Sequence, residues 1–216
     1  SVPLLLQTLY LPLALAETAS SLILTGGTHV PMSPCFHYLD LIWRPLLAQM
    51  GLRIELVMER AGFYPPGGGE VHTLIQPAEA IMPLTCVERG NLVAIEGISA
   101  VANLPVSIAE RQRTQALARV QALAPSVEIE LEVMPALSPG TLLLLLAQFE
   151  RSRGCFFALG ARGKPAERVA DEAVDALLQF LNANAVLDRH MGDQVLLPLA
   201  LAKGVSTLTT SCVTPH

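Results

Sequence analysis

Three apolar stretches, Val2–Ala16, Thr141–Ala147 and Val195–Ala202, constrain this chain most, because none is long enough to cross a bilayer. A spanning helix needs about 20 consecutive apolar residues, and prolines and polar side chains such as Gln7 and Thr8 interrupt these runs first. Their apolar surface must therefore be buried inside the protein. There is much of it to bury: 51% of the 216 residues are hydrophobic and 15% are charged, with a mean hydropathy of +0.46. Such a chain builds a core and does not stay disordered. An ordinary soluble domain carries roughly 25% charged residues, so this surface is expected to be poor in charge, as if a partner or a missing segment covered part of it. The opening stretch lacks the basic flank of a signal peptide and reads as a core helix.

The net charge of −5 argues against coating nucleic acid through bulk charge and leaves room for a local basic pocket. The length suits one or two domains. Cys35, Cys86, Cys155 and Cys212 are scattered without a CxxC pair, so neither a zinc site nor a disulfide framework is expected, and a reducing cytoplasm fits.

Periodicity divides the chain into alternating helices and strands. Ser21–Thr25 reads as a strand closed by Gly26-Gly27, and Phe36 to Gln49 as a helix stopped by Gly51. Leu52–Met58 and Glu70–Gln76 are strands on either side of the turn Gly62-Phe63-Tyr64-Pro65-Pro66-Gly67-Gly68-Gly69. The three glycines lack the lysine and helix of a P-loop and read as a tight hairpin. Beyond Pro83 come a strand at Asn91–Ile98 and an amphipathic helix from Pro105 to Ala124. Val127–Val133 alternates with Glu128, Glu130 and Glu132 on one face, the pattern of an antiparallel sheet with one wet side. Strands at Leu142–Leu146 and Cys155–Leu159, a helix at Ala166–Asn182, a helix from about Gly192 to Ala202 and a strand at Ser206–Thr210 complete the chain. Too few strands are continuously apolar for a doubly wound sheet, so the class is α+β. Residues 87–185 hold a full set of elements and read as an inserted small domain, with 1–86 and 186–216 forming the larger one.

Three motifs resemble one family, the RNA 3′-terminal phosphate cyclases. Gly26-Gly27-Thr28 through Ser33-Pro34 is similar to its GGT…SP loop. Gly62–Val71 resembles its GFYPxGGGxV hairpin, and His190–Ala202 its helix with a DQ pair and PxALA ending. The resemblance spans essentially the whole chain. It implies repeated units of two helices on a four-stranded sheet, with a smaller inserted α+β domain. It also implies an ATP-dependent ligase of RNA processing: ATP adenylates a histidine, AMP passes to an RNA 3′-phosphate, and the 2′-hydroxyl closes a 2′,3′-cyclic phosphate. Family members begin with a further region bearing a GxGGGQ turn, a metal-binding glutamate and phosphate-binding arginines, and they continue past the position of His216. On that comparison the chain is expected to be a piece of the fold, weak or inactive alone.

The resemblance places His216, in Ser211-Cys212-Val213-Thr214-Pro215-His216, at the adenylated position. A neutral imidazole attacks phosphorus through one nitrogen while the other keeps its proton. Gln7 matches a phosphate contact. Pro34 and His190 match the two faces around adenine, His190 standing where a tyrosine is usual. Asp193 would lie beside the reactive histidine and Gln194 near phosphate or ribose. The implied cofactors are ATP and a divalent metal (Mg or Mn), with no metal ligand assigned in this chain. The implied partners are RNA 3′-phosphate ends, without a membrane and with an oligomer left open. His29, His37 and His72 show no common ligand spacing and read as mostly structural or surface groups, with a place for His29 in the nucleotide pocket as the alternative; Tyr38 reads foremost as a core aromatic, with part of the adenine wall as its alternative. A non-catalytic cyclase-like scaffold in ribosome assembly is the alternative, but scaffold relatives lack the reactive histidine. An enolpyruvyl-transferase-type enzyme ranks last, since it would need several lysines and the chain has two.

Overall fold

The first apolar stretch is helix α1 (Val2–Ala14) in the computed structural model, which describes residues 1–213. Ser1 caps it by accepting from the Leu4 N–H. Strand β1 (Ser20–Gly26) runs into the Gly26-Gly27-Thr28 turn. The helix expected from 36 to 49 forms as α2 (Phe36–Tyr38), a π-turn (Leu39–Trp43) and α3 (Arg44–Gln49). Pro45 has no N–H for the carbonyl of Leu41, and the widened turn accommodates that loss. Strands β2 (Ile54–Arg60) and β3 (Gly69–Ile75) form the hairpin, and β3 is the centre of an antiparallel sheet ordered β1-β3-β2. Its inward residues, among them Leu24, Ile54, Val71 and Ile75, pack with α1 and with Tyr38, Trp43 and Leu47 in one core.

After the short strand β4 (Thr85–Cys86) come β5 (Leu92–Ala102), α4 (Val106–Val120), β6 (Ser126–Val133), β7 (Gly140–Phe149), β8 (Arg153–Leu159) and α5 (Ala166–Asn182). They make a second sheet ordered β6-β5-β7-β8. Here the antiparallel expectation for Val127–Val133 fails, because β6 lies parallel to β5. Alternation reports that one face is wet, with Glu128 and Glu130 exposed, and says nothing of direction. The intervening α4 supplies the long crossover that parallel neighbours need. Strand β7 is buried on both faces. Leu142, Leu144 and Leu146 enter the first core, whereas Leu143, Leu145 and Ala147 join a second core with α4 and α5. In α5 the apolar stripe Val169, Ala173, Val174, Leu177 and Phe180 supplies the far wall of that core. A closed polar network pins α4: buried Gln112 donates to Thr141 Oγ1 and accepts from Ser99 Oγ.

The last segment holds α6 (Arg189–Gln194), α7 (Leu196–Leu201) and β9 (Thr207–Leu208), which pairs parallel with β4. The continuous helix expected from Gly192 to Ala202 is interrupted at Val195, since Pro198 cannot donate to the Gln194 carbonyl one turn back. The expected strand at Ser206–Thr210 shrinks to two paired residues and one bridge, Leu187 to Thr210. The architecture is mixed α+β. Residues 92–182 hold four strands and two helices, whereas the first sheet has three strands, and the expected repetition of four-strand, two-helix units is not seen among the described residues. No helix among them is long and apolar enough to cross a membrane.

The hairpin glycines explain how the two turns come together. A Cβ on Gly62 would stand 2.3 Å from the carbonyl oxygen of Gly26 and 2.3 Å from the nitrogen of Gly69. Gly163, at φ +81°, has nothing within 4 Å of its Cβ position. Gly62→Ala is therefore expected to cost about 3 kcal/mol or more through backbone overpacking, against about 1–2 kcal/mol for the left-handed Gly163→Ala. Urea unfolding of the two variants checks this; equal losses would contradict the packing account.

Candidate functional site

The Gly26-Gly27-Thr28 turn is sewn to the hairpin through its backbone. The N–H groups of Thr28 and His29 both donate to the Gly62 carbonyl, at 2.9 and 3.0 Å, and the Gly62 N–H donates to Thr28 Oγ1 at 2.8 Å. Helix α1 starts on the same turn, its Val2 N–H donating to the Gly27 carbonyl at 2.8 Å. The loop that follows closes on itself where the Phe36 N–H donates to the Thr28 carbonyl at 3.0 Å. Pro34 is half-buried in this loop, and Gln7 is half-buried on α1. Both amide atoms of Gln7 are sheltered from solvent with no hydrogen-bond partner among the described residues. Such a group is costly in a finished core and natural where a polar ligand enters.

Helix α6 is held against this region by one side chain that the sequence pattern did not single out. Asp188 accepts from the His190 and Met191 N–H groups at 2.9 and 3.1 Å, capping α6. The Tyr38 hydroxyl donates to the same carboxylate, 3.0 and 2.9 Å from its two oxygens. Burial raises the Asp188 carboxyl above its ordinary pKa, and the three donors offset that rise only in part. Tyr38 is a core aromatic, 3% exposed, whose one polar atom reaches across 150 residues of sequence. Asp188 carried a readable signal, an aspartate just before a short helix. Its partner carried none.

His190, Asp193 and Gln194 thus share a helix whose cap is fixed four residues from Pro34 by Tyr38. His190 is exposed, and Asp193 and Gln194 are half-buried. The final segment lies along the same cap. The Thr209 carbonyl accepts from the Val186 and Leu187 N–H groups, and the Ser211 N–H donates to Leu187. Thr210 fills the space beside Gly192, where a Cβ would come within 2.6 Å of its hydroxyl. His216 lies outside the described residues. The structure ties Pro34 to the α6 residues through Tyr38 and Asp188, and ties Gln7 to them less directly, through the anchorage of α1 on the turn.

His29 and His37, which sequence spacing did not relate, meet under the loop with Nε2 and Nδ1 3.0 Å apart. The loop turn brings them together, and no pairwise spacing rule would find that. His72 is a surface group paired with Glu70. Elsewhere, a cavity of about 420 Å³ between the 36–49 helical run and the β7–β8 turn is lined by Leu41, Gln49, Gln148, Arg151, Arg153 and Leu187 among others. None of Gln7, Pro34, His190, Asp193 or Gln194 lines it.

A family model described as RNA 3′-terminal phosphate cyclase matches residues 1–216. Curated proteins of that name are similar along the whole chain. The one from Methylococcus capsulatus is 44% identical over 217 residues, covering 100% of this chain and 60% of the relative. That of Gloeothece citriformis is 38% identical, covering 100% and 62%, and that of Thermococcus gammatolerans 42%, covering 99% and 63%. The chain spans roughly 60% of the length of these relatives.

If Tyr38 and Asp188 act as a unit, their substitutions will not add. Tyr38→Phe is expected to lower the unfolding free energy by about 1–3 kcal/mol, by taking a donor from a buried carboxylate. In an Asp188→Ala background the same change should cost at least ~1 kcal/mol less. Chemical denaturation of the four proteins measures the coupling, and additivity within ~0.5 kcal/mol would contradict it.

Proposed function

The chain belongs to the RNA 3′-terminal phosphate cyclase family, and we propose that it serves the ATP-dependent closure of an RNA 3′-phosphate to a 2′,3′-cyclic phosphate, with AMP carried on His216. The observation that supports this reading most is the anchorage of α6 at its cap. Tyr38 and Asp188 join the segment after the Pro34 loop to the His190–Gln194 turn, and residues 209–211, five to seven positions before His216 in the sequence, run along the same cap. In the proposed reaction a neutral His216 nitrogen forms a bond to the α-phosphorus as the pyrophosphate P–O bond breaks. The AMP then passes to an RNA 3′-phosphate oxygen. The vicinal 2′-hydroxyl attacks that phosphorus and AMP departs.

The remaining residues take positioning and charge-bearing roles in this scheme. Pro34 and His190 offer the two faces between which adenine stacks, and the Gln7 amide, without a partner among the described residues, offers a donor to phosphate. Among the described residues, the only close group of three His, Cys, Asp or Glu donors is His29, Cys35 and His37. That nitrogen and sulfur set does not suit Mg²⁺ or Mn²⁺, which take oxygen ligands. ATP is the proposed co-substrate, and no step of the scheme passes through a metal ion held by this chain. The proposed domain division at residues 87 and 185 belongs to the same reading, supported by the confinement of one whole sheet to residues 92–159. The free state of all four cysteines accords with a reducing cytoplasm.

The test is incubation with α-labelled ATP followed by denaturing electrophoresis. It uses the chain, and the chain extended to the full length of its Methylococcus capsulatus relative with that protein's own residues. The extended protein should form a covalent adenylate that His216→Ala abolishes. Gln7→Leu should slow its formation ~10²–10³-fold, the loss typical of one preorganised donor. An adenylate that survives His216→Ala would refute the assigned nucleophile.

A further inference from the structure

The loop that carries Pro34 closes over three side chains that the adenylation scheme does not use. His29 and Cys35 are buried and His37 is half-buried. One donor atom from each lies within 4.8 Å of the other two, and the facing ring nitrogens of His29 and His37 are 3.0 Å apart. Their meeting follows from the loop itself. The bond from the Phe36 N–H to the Thr28 carbonyl brings residues 35–37 back beside His29. Two imidazoles and a sulfur converging in a buried corner are an unusual way to fill a core.

We propose that His29, Cys35 and His37 bind one divalent ion of the zinc class, which fastens the Pro34 loop. Zinc takes nitrogen at about 2.0–2.1 Å and thiolate sulfur at about 2.3 Å. A tetrahedral ion would therefore set its two nitrogens about 3.3 Å apart and nitrogen from sulfur about 3.6 Å apart. The two imidazoles need open by only a few tenths of an ångström, and the longest separation must close by about 1 Å, within reach of side-chain rotation. Two imidazoles and a thiolate suit zinc, cobalt or copper, whereas magnesium and manganese prefer carboxylate, carbonyl and water. Three protein ligands leave one position, which water completes from the half-buried His37 side.

An outer hydrogen bond already orients the first ligand. His29 Nδ1 lies 2.8 Å from Thr28 Oγ1, the same hydroxyl that accepts from the Gly62 N–H. A proton on Nδ1 directed at that oxygen leaves Nε2 as a lone pair facing the ion, the usual arrangement for a ligating histidine. Without the ion, one of the two facing nitrogens carries the proton of their shared hydrogen bond. On binding, that proton moves to the other nitrogen of its own ring, the Cys35 thiol loses its proton to solvent, and a metal–sulfur bond forms. Each ion bound releases one proton, and no electrons are exchanged. The inference does not depend on adenylation, and its test reads metal directly.

The test strips the purified protein with a chelator, loads it with Co²⁺ and dialyses it against buffer. One cobalt per chain should remain, with the visible bands of a tetrahedral ion and a near-ultraviolet thiolate-to-cobalt band, and Zn²⁺ but not Mg²⁺ should displace it. Cys35→Ser should remove the thiolate band. His37→Gln should weaken binding by more than the ~10–100-fold that loss of an outer hydrogen-bond partner costs, while His72→Gln leaves it unchanged. The parent spectrum and stoichiometry stand as evidence even where a variant folds poorly. Failure of the parent to retain Co²⁺ or Zn²⁺, or a thiolate band that survives Cys35→Ser in folded protein, overturns the proposal.

Discussion

The hydrogen bond from the Tyr38 hydroxyl to the Asp188 carboxylate fixes the start of α6 against the buried 36–38 turn. Segment 186–211 has little sheet structure of its own, only the two-residue parallel pair β4–β9 and one bridge. Its helices are six residues each, too short to be stable by themselves in water. A buried carboxylate is expensive unless donors surround it, and Asp188 has the two N–H groups of its own helix and the hydroxyl of Tyr38. The same residue thereby starts α6 and positions it. That arrangement links Tyr38, four residues after Pro34, to the helix that carries His190, Asp193 and Gln194.

The second constraint is that β7 serves two cores. Its alternate leucines face opposite ways, Leu142, Leu144 and Leu146 toward the 36–49 run and Leu143 and Leu145 toward α4 and α5. The inserted elements therefore form their own sheet and still share a wall with the rest of the chain. A strand covered on both faces has no place for polar residues, which puts part of the chain's high apolar content inside.

Elements with strong periodicity were legible in the sequence. The stripe of α5, the hairpin around Gly62–Gly69 and the alternation of β6 each reflect which face is buried. Strand direction was not legible in β6, because a period of two is the same in parallel and antiparallel neighbours. The break at Val195 was written in Pro198 but masked by the leucines around it. At the candidate site, motif order pointed to Gln7, Pro34, His190, Asp193 and Gln194 as candidates, whose roles remain proposals. The contacts Tyr38–Asp188 and His29–His37 depend on how loops close, and residue type alone does not reveal that. Gly62 and Thr28 show the same limit: the sequence indicated a tight turn, and only the packing shows that two turns are tight against each other.

Nucleotide is proposed to bind between the Pro34 loop and the Asp188-capped helix, which Tyr38 links. Photolabelling with 8-azido-ATP, followed by peptide mapping, tests it most directly. The account predicts label on peptides covering residues 29–38 and 188–194, reduced by excess ATP and by loss of the Tyr38 hydroxyl. ATP-protected label confined to residues 148–153, at the cavity between the 36–49 run and the β7–β8 turn, would contradict it.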